Sequence, residues 1–428
     1  MEMHKNGLAF LPEIMKQIGE KFAYLDNNFD GSRRLFFENA GGSLRLKESC
    51  ANYARLGAFP DCPSRRHAQA VNLKKAMDKG IEDTRIMFNV NDGDIIFGLT
   101  ATMNMFRMVE TVMRNAKGTN VVTTILEHPS VADSTRYFCK ELGKELRVAN
   151  SNPVTGGVDA DEVIRLVDEN TQLVAFMAAA NITGAILDVE AIVAGVKKKN
   201  PNAFILVDYV QHAPHCLIDL SKLPVDGINI APYKFFGQRG YSLAYISDRM
   251  LGLERPRILN GNQKFWQMGS PAPALYGDIT VITDYVCWIG SKYTESQDRR
   301  ELFAEGMNRI RLHEIALLHR LLEGSQDVPG LRHIEGVELP CDYPDLTKRD
   351  LIIGMAVENM DLTALTNAYL EKGIVVFERL VASHYSKNIM ESFGLEGMIR
   401  VSPLHCHSFE DIDMFLRATA EIVKANKM

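Results

Sequence analysis

Three nearly unbroken apolar runs constrain the fold of this chain more than any other feature. They are "NVVTTI" (120–125), "QLVAFMAAA" (172–180) and "AFILVD" (203–208). Between them lie stretches with helical spacing, "SVADSTRYFCKEL" (130–142) and "VEAIVAGVKKKN" (189–200). A strand that is apolar on both faces must be covered on both faces, and crossover helices provide that cover for a parallel sheet. The pattern therefore predicts an α/β fold with a mostly parallel sheet between helices. Sheets of this kind bind ligands just beyond the carboxyl ends of their strands. The residues to watch follow from that: Glu127 and His128, Asn181, Asp208 and Gln211, and then Lys234.

At 428 residues the chain exceeds what one core usually serves. After about residue 285 its character changes. The stretch 291–324 reads as one long amphipathic helix leading into a mixture of strands and helices. The expected organisation is a large α/β domain over 39–290 and a smaller α+β C-terminal domain over 291–428. Residues 1–38 are expected to pack on the smaller one. A formal net charge of −6 gives no general attraction for nucleic acid or an anionic membrane. No apolar run approaches the ~20 residues of a spanning helix. The start of the chain has no signal-peptide pattern. Seven scattered cysteines, odd in number and without a CxxC pair, fit reduced thiols in a cytoplasmic protein.

Lys234 lies in "INIAPYKFFGQRGYSLAYIS" (228–247), after a strand and before a glycine-broken turn. An ammonium among apolar residues costs several kcal/mol unless it is paired or neutralised. A neutral amine attacks carbonyls and forms a Schiff base, which points to pyridoxal phosphate, an aldehyde cofactor. That cofactor needs a carboxylate at its ring nitrogen, and Asp208 closes a strand where one is wanted. It needs a helix start for its phosphate, and "IIFGLTATMNMFRM" (95–108) offers Thr100 and Ala101. An imidazole such as His128 can cover the ring. An amino-acid substrate needs a fork for its carboxylate, for which Arg400 in "GMIRVSP" is placed.

With these residues in view, the chain resembles the fold-type-I pyridoxal-phosphate enzymes of the class V aminotransferase superfamily. Within it, the similar group contains cysteine desulfurases, selenocysteine lyases and isopenicillin N epimerase-like proteins. The resemblance runs in order through "LFFENAGGS" (35–43), "LEHPSV" (126–131), "NITGAI" (181–186), "VDYVQHAPH" (207–215), "APYKFFGQRG" (231–240), "MGSPAP" (268–273) and "LEGMIRVSPLHCHSFEDID" (395–413). It implies that Lys234 carries the cofactor as an aldimine and moves the α-proton, giving an α-carbanion. It further implies that Asp208 pairs with the ring nitrogen, Gln211 with the phenolic oxygen, and that His128 stacks on the ring. Asn181 would contact cofactor or substrate, Thr100 and the Ala101 amide the phosphate, and Arg400 the substrate carboxylate. Asn39 and Ala40 would line the entrance. Ser270 would reach the phosphate from a second subunit, so a homodimer with shared sites is implied.

The chain also departs from that pattern. Ala231 and Tyr233 stand where the family has serine and histidine ahead of the lysine, with the Tyr233 phenol a partial replacement at the phosphate. Gln238 replaces a proline, and Arg239 adds a charge. The loop "GIVVFERLVASHYSKNIM" (373–390) has no cysteine where desulfurases carry the persulfide-forming thiol. A carbon–sulfur or related β-lyase acting on an amino acid without a persulfide is the leading expectation. Epimerase or aminotransferase chemistry is the alternative, and a cofactor-free binding protein or metal hydrolase the reading from other classes. Arg65, Arg66, Arg239 and Arg379 suggest a further anionic group on the substrate. Plainer readings exist for each feature. A lone lysine often snorkels, an aspartate often caps a turn, and His212 and His215 are assigned structural roles. "HCH" (405–407) lacks the ligand spacing of a zinc site. "VKKKN" (196–200) suits a solvated helix C-terminus.

Overall fold

The computed structural model describes residues 5–60, 62–258 and 266–427. Seven strands form the main sheet: β1 (Asp94–Gly98), β2 (Asn120–Thr124), β3 (Glu145–Ala149), β4 (Thr171–Met177), β5 (Phe204–Asp208), β6 (Gly227–Ile230) and β7 (Ser242–Ile246). Their order across the sheet is β1-β7-β6-β5-β4-β2-β3. Only β7 runs antiparallel to its neighbours, so the other six end on one edge. Every residue of β2, β4 and β5 is buried, which is why these runs are mostly apolar on both faces.

The crossover helices follow from their sequences. In Ala101–Asn115, Met105, Met108, Val109 and Val112 fall on one buried face, at the three-to-four-residue spacing of a helix packed on a sheet. Thr100 caps its start by accepting the Met103 amide at 3.1 Å. Pro129–Leu142 begins with proline, needs no first-turn amide there, and ends at Gly143 in the left-handed conformation. Asp188 caps Val189–Lys199, whose last turn carries Lys197, Lys198 and Lys199.

The helix expected over 291–324 is shorter. Asp298 accepts the Glu301 amide at 2.9 Å and starts a helix at Arg299, which runs to Glu323. Residues 291–298 form the turn that follows the helix Pro273–Gly290. This long helix joins two apolar cores. Phe303, Met307 and Ile310 belong to the core of the main sheet, whereas Ile315, Leu318 and Leu322 belong to a second core. The second core lies under a four-stranded antiparallel sheet of β8 (Val337–Glu338), β9 (Ile353–Val357), β10 (Phe377–Leu380) and β11 (Gly397–Val401), in the order β8-β9-β11-β10. The N-terminal residues divide between the two. Phe10, Ile14, Ile18 and Phe22 enter the main core, and Leu35 and Phe37 the second one. No helix among the described residues is long and apolar enough to cross a membrane.

Candidate active site

Six parallel strands ending on one edge leave a crevice there, and in this chain it is a cavity of about 730 Å³. Thr100, His128, Asn181, Asp208 and Lys234, each at or just past the end of a different strand (β1, β2, β4, β5 and β6), all line it. The two residues on which the cofactor inference rests, Asp208 and Lys234, therefore face one space.

Lys234 ends a short 3-10 turn, Pro232–Lys234, and is 8% exposed. Its Nζ donates to Gln211 Oε1 at 3.1 Å. Burial, with the Arg400 guanidinium adding to it, brings the amine down to about 7, while the Asp208 carboxylate pulls the other way. Two residues on, Phe236 adopts a left-handed backbone (φ 64°), costly for a side chain of that size. The conformation is held because the Phe236 amide donates to Ser43 Oγ at 3.0 Å and its carbonyl accepts the Leu46 amide at 3.0 Å. Its ring packs edge-on to His405, centroids 4.7 Å apart. This turn is rigid where the amine is presented.

Asp208 accepts from the Val210 amide at 2.9 Å through Oδ1 and from Ser130 Oγ at 3.2 Å through Oδ2. Burial raises its carboxyl above the ordinary range. Its neighbour Glu127 is buried deeper, outside the cavity lining. It accepts from Thr124 Oγ1 at 2.6 Å and the Met177 amide at 3.1 Å, and burial pushes it up to about 8. His128 caps the helix that follows it, Nδ1 accepting the Ser130 amide at 3.1 Å. Burial, with Lys234 and Arg379 nearby, brings its imidazole down to about 4, so the ring is neutral at pH 7. Its outer face stacks on Tyr385, centroids 5.9 Å apart.

On the opposite wall Arg400 projects from β11 and is 1% exposed. Nη1 donates to the Asn181 carbonyl at 2.8 Å, Nε to Glu38 Oε2 at 3.3 Å, and Nη2 to Glu38 Oε1. Three of the five guanidinium N–H groups are thereby engaged, leaving two for a ligand. Arg379 shares the same Glu38 oxygen at 3.5 Å. Arg239 lays its guanidinium over the Tyr233 ring, 3.9 Å from the centroid.

The remaining sequence candidates are placed as follows. Ala40 and Ala101 line the cavity. Asn39 does not line it: its side chain donates to the Phe36 and Ser402 carbonyls and accepts the Leu44 amide, holding the loop that carries Ala40. Ser270 is exposed and lies outside the lining of its own chain's cavity. Arg65 and Arg66 are exposed and also outside it, whereas Arg239 and Arg379 line it. His212 and His215 pair with buried carboxylates instead, Asp350 at 2.9 Å and Glu314 at 2.8 Å. These pairs fix the segment after Asp208 to the long helix and to the segment leading into β9. His405 Nε2 meets the Tyr285 hydroxyl at 2.7 Å, and His407 Nδ1 accepts the Leu404 amide.

Sequence reasoning missed Glu38, Ser130 and Tyr385. Glu38 and Ser130 lie within the segments 35–43 and 126–131, but a contact 362 positions away, as between Glu38 and Arg400, has no local signature. No cysteine lines the cavity among the described residues.

The model of the aminotransferase class V family matches residues 51–270, just over half of the chain. The chain belongs to the class V aminotransferase family. Members of this family depend on pyridoxal phosphate. Among curated relatives, cysteine desulfurase IscS of Vibrio vulnificus (strain YJ016) is 25% identical over 293 residues, covering 67% of each chain. A probable cysteine desulfurase of Mycobacterium leprae (strain TN) is 24% identical over 428 residues, 96% of this chain and 94% of that protein. Among solved structures, the apo cysteine desulfurase of Thermococcus onnurineus NA1 superposes with a TM-score of 0.78 at 20% identity. It covers 98% of this chain and 100% of that one. A NIFS-like protein gives 0.75 at 24% identity, covering 92% and 100%. These structures share the fold: the seven-stranded, mostly parallel α/β architecture of fold-type-I pyridoxal-phosphate enzymes.

The residues present suit that cofactor. A near-neutral amine and a buried carboxyl face one cavity, and the helix beginning at Ala101 opens onto it with first-turn amides. The buried Asn181 Oδ1 has no protein partner.

Proposed function

We propose that this chain is a pyridoxal-phosphate-dependent enzyme acting on a small amino acid, a carbon–sulfur or related β-lyase that works without a persulfide cysteine. The observation that carries the reading is the single cavity shared by Lys234 and Asp208, with Lys234 brought down to about 7. When bound, the cofactor supplies an electron sink for breaking bonds at the substrate's α-carbon. Lys234 Nζ, close to neutral, can hold the cofactor's aldehyde carbon and afterwards take the substrate's α-proton. Asp208, held by Val210 and Ser130, keeps a proton at the ring nitrogen. His128, neutral and backed by Tyr385, covers the ring face. The amides at the start of the helix Ala101–Asn115, the Thr100 hydroxyl and Tyr233 receive the phosphate. The two open N–H groups of Arg400 receive the substrate carboxylate.

Several further parts of this reading follow from family membership. A large domain over 39–290 and a smaller one over 291–428 remain part of it, supported by the separate main and C-terminal sheets, although the first half of the long helix packs in the main core. The exposed Ser270 serves the phosphate of a second copy in a homodimer with shared sites. Seven unpaired cysteines suit a cytoplasmic location.

The test is reconstitution with pyridoxal phosphate, borohydride reduction and peptide mapping, followed by incubation with an amino-acid panel. The expected results are a yellow protein, label on Lys234, and pyruvate with ammonia from a substrate carrying a β-leaving group. Label elsewhere, or turnover by Lys234→Ala, would overturn the reading. α-Deuterium exchange with inversion, or a stoichiometric keto acid, would replace the lyase by an epimerase or an aminotransferase.

A further inference from the structure

We infer that the substrate carries a second anionic group of carboxylate size on a short side chain, and that Arg379 receives it. This inference rests on the preceding reading and names the substrate class of the same site.

Arg400 and Arg379 stand differently toward Glu38. Arg400 makes a two-point contact through Nε and Nη2, and its Nη1 is held by the Asn181 carbonyl. Arg379 reaches Glu38 Oε1 only at 3.5 Å, and its buried Nε has no hydrogen-bond partner. A buried guanidinium N–H without an acceptor costs stability, and a ligand oxygen would relieve it. The backbone fixes the position. β10 pairs with β11 so that Phe377 faces Arg400, and Arg379, two residues along β10, shares the Phe377 face of the sheet. Both guanidiniums line the cavity and reach the same Glu38 oxygen, so their free edges are close neighbours. A single α-carboxylate fits the open edge of Arg400 and leaves Arg379 unanswered. A short diacid answers both. The surroundings reinforce this: burial and then the nearby Arg400 disfavour the Arg379 charge, with Glu38 only a partial offset, and this favours the arrival of negative charge.

The experiment is isothermal titration of the cofactor-loaded protein with succinate and with butyrate, four-carbon acids bearing two carboxylates and one. Arg379→Gln and Arg379→Lys variants are titrated in parallel, and cofactor loading is read separately from absorbance. Succinate is expected to bind about tenfold or more tightly than butyrate, the usual gain from one added charge-assisted contact. Arg379→Gln should bring succinate to the butyrate level without altering butyrate, and Arg379→Lys should keep part of the gain. Equal binding of the two acids by the unmodified protein would overturn the inference. So would an equal loss of both in Arg379→Gln, which would assign Arg379 to the α-carboxylate. Failure to load the cofactor would overturn the preceding reading, while the succinate-to-butyrate ratio would still report on Arg379.

Discussion

An amine brought down to about 7 is unprotonated in about half of the molecules at pH 7, against roughly one in 3,000 for a lysine at the ordinary value of about 10.5. At pH 7 the reactive free-base fraction of Lys234 should therefore exceed that of an ordinary lysine about a thousandfold, before any cofactor is involved. Competitive labelling of the cofactor-free protein with trace acetic anhydride measures this. Added N-α-acetyl-lysine is the reference, and the Lys234 peptide is quantified by mass spectrometry from pH 5.5 to 10. The labelling rate should be half-maximal near pH 7. Two variants identify the causes. Arg400→Gln removes a neighbouring cation and leaves Glu38 less neutralised, both of which favour the ammonium, so the midpoint should move up. Asp208→Asn removes the carboxylate that favours the ammonium, so the midpoint should move down. Burial remains the larger cause, so neither variant should restore the ordinary value. A wild-type midpoint near 10, or midpoints unmoved in both variants, would refute the description of the amine as desolvated and flanked by these two charges.

Two further outcomes follow from buried ionisable groups outside the chemistry. Glu127 retains in the folded chain, up to about pH 8, a proton that an unfolded chain loses near 4.5. Its contribution to stability therefore falls as pH rises through that window, by at most about 5 kcal/mol. Urea unfolding at pH 5 and pH 8.5 should show a smaller fall in Glu127→Gln than in the wild type, and an identical fall would exclude the effect. Asp350, fully buried, faces His212 at 2.9 Å and Arg311 at 3.5 Å, so Asp350→Ala strands two buried cationic groups. The expected loss is about 3–5 kcal/mol in a denaturant midpoint, and a loss below 1 kcal/mol would show that the pair carries little.

What was legible in the sequence is what depends on local pattern. The runs at 120–125, 172–180 and 203–208 had to be doubly covered strands because no polar face was available, and they are. The residues at and just beyond those strand ends, and Lys234 beyond the following strand, then had to share one edge, which placed His128, Asn181, Asp208 and Lys234 without any tertiary information. The pattern failed where a cap decided the boundary. The helix expected from residue 291 has periodic apolar positions only from Leu302 onward, and the Asp298 carboxylate captures the Glu301 amide so that the helix starts there. The expectation that residues 1–38 pack on the smaller domain holds for Leu35 and Phe37 but not for Phe10, Ile14, Ile18 and Phe22, which enter the main core. Their apolar spacing specifies a buried face, while the surface it meets is set by residues such as Phe236 and Tyr285, more than 200 positions away.

The arginine wall shows why the rest of the site was hidden. Arg400 could be singled out because it lies in a recognisable segment, but its chemistry depends on Glu38, and nothing local links the two. The link is made by backbone: Glu38 bridges in parallel to Ser402, and the Asn39 amide donates to the Ser402 carbonyl, which draws the 38–41 loop against β11. Pairing of β10 with β11 brings Arg379 to the same place from the other side. Two guanidiniums would repel each other there without a shared anion. Glu38 is therefore a positioning residue: it holds both cations in one wall while using only part of their hydrogen-bonding capacity. The small residue at Gly41 belongs to the same design, since a Cβ there would lie 2.6 Å from Glu38 Oε1 and 3.2 Å from Arg400 Nη2. The arginine wall of the cavity is thus assembled by strand pairing across the second sheet. The wall that carries His128, Asn181, Asp208 and Lys234 is assembled by single positions at the strand ends of the first.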